Sequence, residues 1–465
     1  SIGHDRHGRL STGPAEIVGR QQSTRRTQGQ GAMMAASLLS RPGRRFVPVL
    51  LVALALGGCA TFTPDGGMQA VATQVSTTIG ADAVKIASQD EAMLATGRVK
   101  TLLAKPLTAN SAVQIALLSN RGLQAEYNAL GLSEADFVEA SLPPNPAVAL
   151  SRTVTNGALE IERRVVGSLL ALLTQPTRRA IGERQFEAAR YRAIDATFRT
   201  AATARKAYYA AVAARQKVAY LEQARSSADA AADLMRSLGE TGAAKKLDQA
   251  RTAAFYAEVS NQLAAARLEA GTTREALTRS LGLWGSDINY KLPGQMPALP
   301  GQLAAKQLTE SEAIRKRVDL IASRFDLDAL ATSLRLYEAT RYVSAFDLAG
   351  FSKFERSKND GIVEKARSSG NALDLAIEIP IFDFGETTRR RAAETYMQAV
   401  NRFAEQAVNI RSEARAAYLT YRAAYDIARA YRNKIMPLRR TVNEQSLLEY
   451  NGMLIDVFVL LTTFR

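Results

Sequence analysis

The sequence predicts a mainly α-helical protein with a small β part, built from duplicated long antiparallel helical hairpins and four strands. Three observations lead to this prediction: an alanine-rich stretch too long for a globular core, an alternation of apolar and polar residues, and an internal repeat. The repeat weighs most, because a duplicated unit changes the interpretation of every other pattern in the chain.

The longest predicted element lies between Arg178 and Leu238. This stretch has no proline and one glycine, while alanine, the best helix former, is frequent. A helix of this length extends about 90 Å, roughly three times the diameter of a small domain. GETG at 239–242 then breaks the pattern and Ala243 to Leu281 resumes it. The two stretches therefore predict an antiparallel helical hairpin.

The clearest predicted strand is NALDLAIEIPI at 371–381. Its strict alternation is typical of a transmembrane β-barrel strand, with lipid on one side and water on the other. The alternative is half of an ordinary soluble sheet. The predicted lipid-facing side chains are Leu373, Leu375, Ile377 and Ile379. Weaker strands are predicted at 146–154, 159–167 and 343–351.

The duplication relates two halves of the chain. LTANSAVQIA at 107–116 recurs as LTESEAIRKR at 308–317, and RSLGETGAAKKLD at 236–248 is echoed by QSLLEYNGMLID at 445–456. Each half therefore supplies two strands and one helical hairpin. Four strands cannot close a barrel, and an open sheet edge cannot lie in lipid. The sequence thus predicts an oligomer.

A single cysteine follows an apolar run near the beginning of the chain, in LGGCATF at 56–62. Three arginines and the uncharged stretch Phe46 to Leu56 precede it, as in a secretory signal peptide, and this run is too short to span a membrane. The segment resembles a bacterial lipobox, with cleavage before Cys59 and acylation of its thiol. The alternative is a buried free cysteine.

The predicted domain order follows from these boundaries. Residues 1–58 are interpreted as a spurious upstream extension plus a lipoprotein signal peptide, with Met33 or Met34 as the natural start. The remaining parts are a lipidated N-terminal segment at 59–106, a first repeat at 107–282, a Pro/Gly-rich linker at 283–307 and a second repeat at 308–465. Only 13 residues follow Gly452, so the second repeat is expected to be truncated, which puts assembly in question.

The composition argues against an enzyme. Both histidines, His4 and His7, lie within residues 1–58, which the predicted mature chain lacks. Without imidazole or a free thiol, the mature chain lacks the usual ligands of soft metals and the usual acid–base groups, so no catalytic residue, cofactor or metal site is expected. The first 58 residues carry +6 of the chain's formal net charge of +15. The remaining basic residues alternate with acids along helices, as on solvated faces, so no nucleic-acid partner is expected.

Several motifs in their order resemble a known family over roughly residues 100 to 465. They are LPPNP at 142–146, LLALLTQPTRRA at 169–180, TGAAKKLDQAR at 241–251 and IPIFDFG at 379–385. The chain resembles a TolC-family outer-membrane factor, in its lipoprotein branch of outer membrane efflux lipoproteins.

The resemblance implies a homotrimer whose strands form a twelve-stranded outer-membrane β-barrel, continued by a periplasmic α-barrel of long helices. It implies a lipid-anchored protein that extends from the outer membrane into the periplasm. It also implies a periplasmic adaptor, an inner-membrane pump and passive export of small molecules or metal ions. YNGMLIDVF at 450–458 is more similar to heavy-metal than to drug efflux members. The alternative is a non-pore periplasmic coiled-coil adaptor or scaffold lipoprotein.

The two predicted turns, GETG and YNG, lie at the far ends of the helical hairpins. Gly239, Gly242 and Gly452 are predicted to supply backbone freedom for the reversal at the adaptor-docking turns. The alternative is that these glycines only end the helices and make no contact with an adaptor.

Two acids, Asp248 and Asp456, follow the predicted turns in matching places of the repeat. Three copies of each around one axis would form carboxylate rings that favour cations, and the resemblance implies a periplasmic gate at Asp456. At the family's second acidic position the chain has Val459. The alternative role for each carboxylate is a helix-dipole partner.

Overall fold

The computed structural model describes residues 61–155, 158–301, 303, 310–356 and 368–463. The predicted signal peptide, the lipidation site Cys59 and the Asn156 to Gly157 turn lie outside the described residues.

In the described part of the chain, from residue 61 onwards, four helices precede the first strand: α1 Met68–Ile79, α2 Gln89–Leu103, α3 Ala109–Ser119 and α4 Arg121–Ser141. Side-chain caps define where three of them begin. Ser88 and Thr108 each form a capping box at the start of a helix. Asn120 accepts from the Leu123 backbone N–H at 3.0 Å, and its amide donates to the Ser280 carbonyl at 3.2 Å. Asn120, between α3 and α4, thereby ties these two helices to Ser280.

The first half continues with β1 Ala147–Thr155, β2 Ala158–Ser168, α5 Leu169–Glu240 and α6 Lys246–Leu281. Helix α5 has 72 residues and extends roughly 110 Å. It begins nine residues before Arg178 and contains Pro176, which the sequence analysis had placed before the helix. Ser168 caps its start at 3.4 Å from the Ala171 N–H, and the Arg178 guanidinium donates to the Ala171 carbonyl at 3.0 Å. These contacts stabilise the first turns despite the proline.

The second half repeats this order. Its elements are α7 Glu310–Lys316, α8 Val318–Thr340, β3 Ala345–Arg356, β4 Ser368–Glu378, α9 Glu386–Ala430, a π-helical turn Tyr431–Ile435, α10 Met436–Asn451 and α11 Val457–Thr463. Each half thus reads helices, two strands, a long helical segment, a turn and a return helix. The predicted fold class, mainly helical with duplicated hairpins and four strands, is confirmed.

The π-helical turn interrupts the long helical segment of the second half only. Pro437 follows it and has no backbone N–H to donate into an α-helical ladder. The Met436 N–H instead reaches back five residues to the Tyr431 carbonyl. Helix α5 has no such interruption over its 72 residues, so the two hairpins differ at this point.

The four strands form one antiparallel sheet in the order β1-β2-β3-β4, with β1 and β4 at its edges. Strand β3 extends five residues beyond the predicted end at 351, because its polar second part pairs with β2.

Strand β4 lies three residues earlier than predicted. It ends at Glu378, whose carbonyl accepts from the Ser344 N–H at 3.0 Å. Pro380 cannot donate to a ladder, and its carbonyl accepts from the Phe384 N–H at 2.8 Å in the following turn. Ile379, predicted to be a lipid-facing strand residue, therefore lies outside the strand.

The turn between β4 and α9 explains the IPIFDFG motif. The Asp383 carboxylate accepts from the Gly385 N–H at 2.9 Å and from the Thr387 N–H at 3.3 Å. Gly385 has a φ of 72°, and a Cβ there would lie 2.2 Å from the Arg341 carbonyl oxygen. Only glycine fits both the positive φ and the close approach, so this residue fixes the direction of α9.

The core lies where the N-terminal helices pack on α5. One cluster joins α1, α3 and α4 to α5 and includes the buried Tyr127, whose hydroxyl is 2.9 Å from that of Thr197. Burial, opposed by this hydrogen bond, raises the pKa of Tyr127 to about 12. A second cluster surrounds Tyr208, which donates to the Leu107 carbonyl at 3.1 Å, and includes Leu277 of α6. The middle of α5 is thereby held between the N-terminal helices and α6.

Candidate functional site

One face of the sheet is apolar and exposed. Directly opposed residues of antiparallel strands project from the same face, and Leu375 opposes Leu348 while Ile377 opposes Phe346. The side chains of Val148 and Leu373 are each 76% exposed. The apolar residues that share this face are Val148, Leu150, Val154, Leu159, Ile161, Val165, Phe346, Leu348, Phe354, Leu373, Leu375 and Ile377.

The opposite face of the sheet is charged and mainly acidic. Its acids are Glu160, Glu162, Asp347, Glu355, Asp374 and Glu378. Arg164 lies 3.5 Å from Asp374, and Lys353 lies 2.9 Å from Glu160. Ion pairs of this kind require water or fixed partners. The sheet therefore separates an apolar surface from a charged, mainly acidic one.

The first distal turn, between α5 and α6, uses two glycines in different ways. Gly242 has a φ of 79°, the left-handed conformation that favours glycine. Gly239 is still helical, and a Cβ there would lie 2.1 Å from the Gln249 side-chain amide. The Ala243 N–H closes the turn on the Leu238 carbonyl at 2.8 Å. Gly242 thus supplies the predicted backbone freedom, and Gly239 leaves room for the Gln249 side chain.

The second distal turn, between α10 and α11, works differently. Gly452 has a φ of −80°, which any residue adopts. The left-handed position is the next residue, Met453, with a φ of 60°. The prediction that Gly452 supplies backbone freedom is therefore wrong. No pattern in the sequence singles out Met453, because a non-glycine residue with positive φ has no local signature here.

Asp248 and Asp456 both lie at the beginning of a return helix. Asp248 is the third residue of α6, whereas Asp456 directly precedes α11. The Asp456 carboxylate accepts from the Val459 N–H at 2.8 Å and caps α11. Asp248 lies in the first turn of α6, 3.6 Å from the Arg251 guanidinium. Each carboxylate therefore has a partner at the start of its own helix. This agrees with the alternative role, in which the carboxylate interacts with the helix dipole.

Arg251 also connects the two hairpins. Its guanidinium lies 5.6 Å from the centre of the Phe458 ring on α11, a distance suited to a cation–π contact. The distal turns of both halves are thus neighbours. Sequence analysis missed this contact, because nothing local relates two residues so far apart in the chain.

A charged cluster connects the beginning of α8 to α9. It consists of Arg317, Asp319 and Glu413. Arg317 donates to both carboxylate oxygens of Asp319, at 3.0 and 2.6 Å, and to Glu413 on α9 at 2.6 Å. Burial, the largest single effect, opposes ionisation of Asp319. The hydrogen bonds and the charge of Arg317, together with the Leu320 N–H, outweigh burial and hold the pKa of Asp319 below its usual value. Nearby on α5, burial raises the pKa of Asp195 despite the cation of Arg199.

Within the described ranges, no helix is both long and apolar enough to cross a membrane. In the same part of the chain, no three or more His, Cys, Asp and Glu side chains are grouped to hold a metal ion.

No protein-family model matches the chain, and no curated protein matches it. Solved structures do. CusC, described as forming a transmembrane channel, is 15% identical with a TM-score of 0.61, over 79% of this chain and 85% of its own. The outer-membrane channel OprN is 18% identical with a TM-score of 0.62, over 78% and 84%. VceC, an outer-membrane protein of Vibrio cholerae, is 14% identical with a TM-score of 0.58, over 80% and 90%.

These likenesses define the class of fold: the chain folds as the outer-membrane channel proteins do. The fold implied by the TolC-family resemblance is therefore confirmed.

Proposed function

We propose that this protein is the outer-membrane channel component of a tripartite efflux system. It would act as a passive duct for small molecules or metal ions across the periplasm and outer membrane, with no catalytic step. Channel proteins of the same fold, among them the Campylobacter jejuni CmeC outer membrane channel, support this proposal.

The single observation that carries the proposal is the two-faced sheet with open edges. Twelve apolar side chains project from one face, and the acids project from the other. The edges β1 and β4 present unpaired backbone groups, which lipid does not satisfy. Copies of the chain joined edge to edge would satisfy these groups, place the apolar face in lipid and enclose a wet acidic lumen.

The assembly would be a homotrimer with twelve strands, because the described residues of each chain supply four. Helix α5, roughly 110 Å long, and the long helical segment of the second half would extend as an α-barrel into the periplasm. The distal turns would then lie where a periplasmic adaptor and an inner-membrane pump connect. An acyl chain on Cys59 would anchor the protein in the outer membrane.

A non-pore periplasmic scaffold is the second candidate. It shares the helical hairpins and needs no membrane, so it predicts a sheet whose apolar face is covered by protein. In the structure that face is exposed, with Leu375 at 54% and Leu150 at 72%, which favours the channel.

The test uses the full natural protein, purified in detergent and added to planar bilayers. We expect an oligomer that dissociates on heating and single-channel conductance that persists without any partner. A monomer or a non-conducting oligomer under conditions where the protein is folded by circular dichroism would overturn the channel and leave the scaffold.

A further inference from the structure

Three arginines interrupt the apolar face of the sheet. Arg152 on β1 directly opposes Ile161, Arg163 on β2 opposes Leu150, and Arg356 on β3 opposes Leu159. Each arginine therefore projects from the same face as its apolar partner. All three are exposed.

No acid shares this face within the described strands, since all six acids of the strands project from the opposite one. The ion pairs of Arg164 with Asp374 and of Lys353 with Glu160 are likewise on the opposite face. None of the three arginines forms a side-chain hydrogen bond or ion pair with another described residue. Among the described strand residues, the apolar face thus carries three cations and no anion.

The three arginines lie in three successive rows of the sheet, from the middle of the strands towards the hairpin loops: first Arg163, then Arg152, then Arg356. The rows nearest the helices, such as Phe346 with Ile377 and Leu348 with Leu375, are wholly apolar. The arginine rows follow towards the two hairpin loops. With ideal strand spacing, the Cα atoms of Arg152 and Arg163 are about 8 Å apart, and those of Arg152 and Arg356 about 12 Å apart. The face therefore has a wholly apolar band beside the helices. Its loop-side half, here called the basic band, contains the three arginines among apolar residues.

We propose that Arg152, Arg163 and Arg356 bind the phosphate groups of membrane lipids whose acyl chains lie on the apolar band. The inference rests on the proposed insertion of the sheet into a bilayer. An unpaired arginine is unfavourable in hydrocarbon and tolerated at the level of the headgroups. Guanidinium binds phosphate through paired N–H donors. The basic band would thereby fix the depth of the barrel and select phosphorylated lipids of the leaflet on the loop side.

The test compares arginines on the two faces of one strand. Arg163 and Arg164 are neighbours on β2 but project from opposite faces. We would purify the full-length wild type, R163Q, the matched control R164Q and the triple variant R152Q/R163Q/R356Q. Each is mixed with lipid A bearing two phosphates or with its dephosphorylated form, and bound lipid is counted by native mass spectrometry.

We expect the wild type and R164Q to bind the phosphorylated lipid several-fold more than the dephosphorylated form. The preference should weaken in R163Q and disappear in the triple variant. Equal preference in the wild type and the triple variant would overturn the inference. Inorganic phosphate that displaces lipid A from the wild type at equal concentration would also overturn it, because the site would then recognise an ion rather than a lipid.

Conductance in planar bilayers is recorded from the same samples. A conducting triple variant with an unchanged lipid preference refutes the lipid site and leaves the channel intact. A wild type that neither inserts nor conducts refutes both.

Discussion

The glycines of the distal turns give a matched pair of substitutions at the residue scale. Gly242 has a φ of 79°, so G242A should destabilise its turn by about 1–2 kcal/mol. Gly452 has a φ of −80°, and a Cβ there would meet its nearest atom at an ordinary 3.5 Å, so G452A should have little effect. Hydrogen–deuterium exchange of each turn measures the difference. Equal acceleration of exchange by both substitutions would contradict this explanation.

Asp319 should make stability depend on pH. The hydrogen bonds from Arg317 hold the pKa of Asp319 below its usual value. The ionised form is therefore favoured in the folded state, and its stabilisation is present above about pH 4 and lost as the pH falls further. D319N should remove this loss. The pH dependence due to Asp195 has the opposite sign. Burial raises the pKa of Asp195, so its contribution to the stability of the folded state is lost as the pH rises.

The measurement is the thermal midpoint of the wild type and D319N from about pH 6 down to about pH 3. The wild type should lose more stability over this interval than the variant. Parallel curves would show that Asp319 does not titrate differently in the folded and unfolded chains.

At the scale of the element, β4 gives a test of orientation. Leu375 projects from the apolar face, opposite Leu348, whereas Ala376 projects from the acidic face, opposite Asp347. L375R should cost about 2–4 kcal/mol if this position lies near the bilayer midplane. A376R should be tolerated beside Asp347. The yield of assembled oligomer in bilayers measures both, and equal losses would contradict the membrane assignment.

The sequence predicts the elements better than their ends. The alternation of Leu373, Leu375 and Ile377 identifies β4, because a half-apolar strand leaves a period of two. The strand ends early because Pro380 begins a turn, and it starts early by pairing with β3. Pairing between distant segments leaves no local signal, so the polar end of β3 resembled a loop. For the same reason, the sequence alone does not show that the three arginines of the basic band share one face of the sheet. The strand register shows it.

At the scale of the whole molecule, the membrane attachment depends on Cys59 in our proposal. C59S should abolish incorporation of labelled palmitate and leave an uncleaved precursor, because the thiol is the acylated group. Radiolabelling and gel mobility of the natural protein measure both effects. Normal processing and labelling of C59S would remove the lipobox.

The distal end gives a prediction for the assembled channel. Asp456 is exposed and caps α11, while Asp248 is partly covered and lies near Arg251. If three copies of Asp456 surround the pore, D456A should weaken block by trivalent cations more than D248A does. Single-channel recordings of the full-length protein measure this block. Unchanged block in D456A would show that the carboxylate serves only as a cap.

The π-helical turn at Tyr431–Ile435 has a consequence for symmetry. Three copies of a duplicated chain would arrange six similar hairpins in a ring of approximate sixfold symmetry. One extra residue in a turn rotates all following side chains by about 100° relative to an unbroken α-helix. Because only the second hairpin contains this turn, the proposed ring would keep sixfold character near the sheet and would be threefold at its tips. A partner docking at those tips would meet two chemically different kinds of site in alternation.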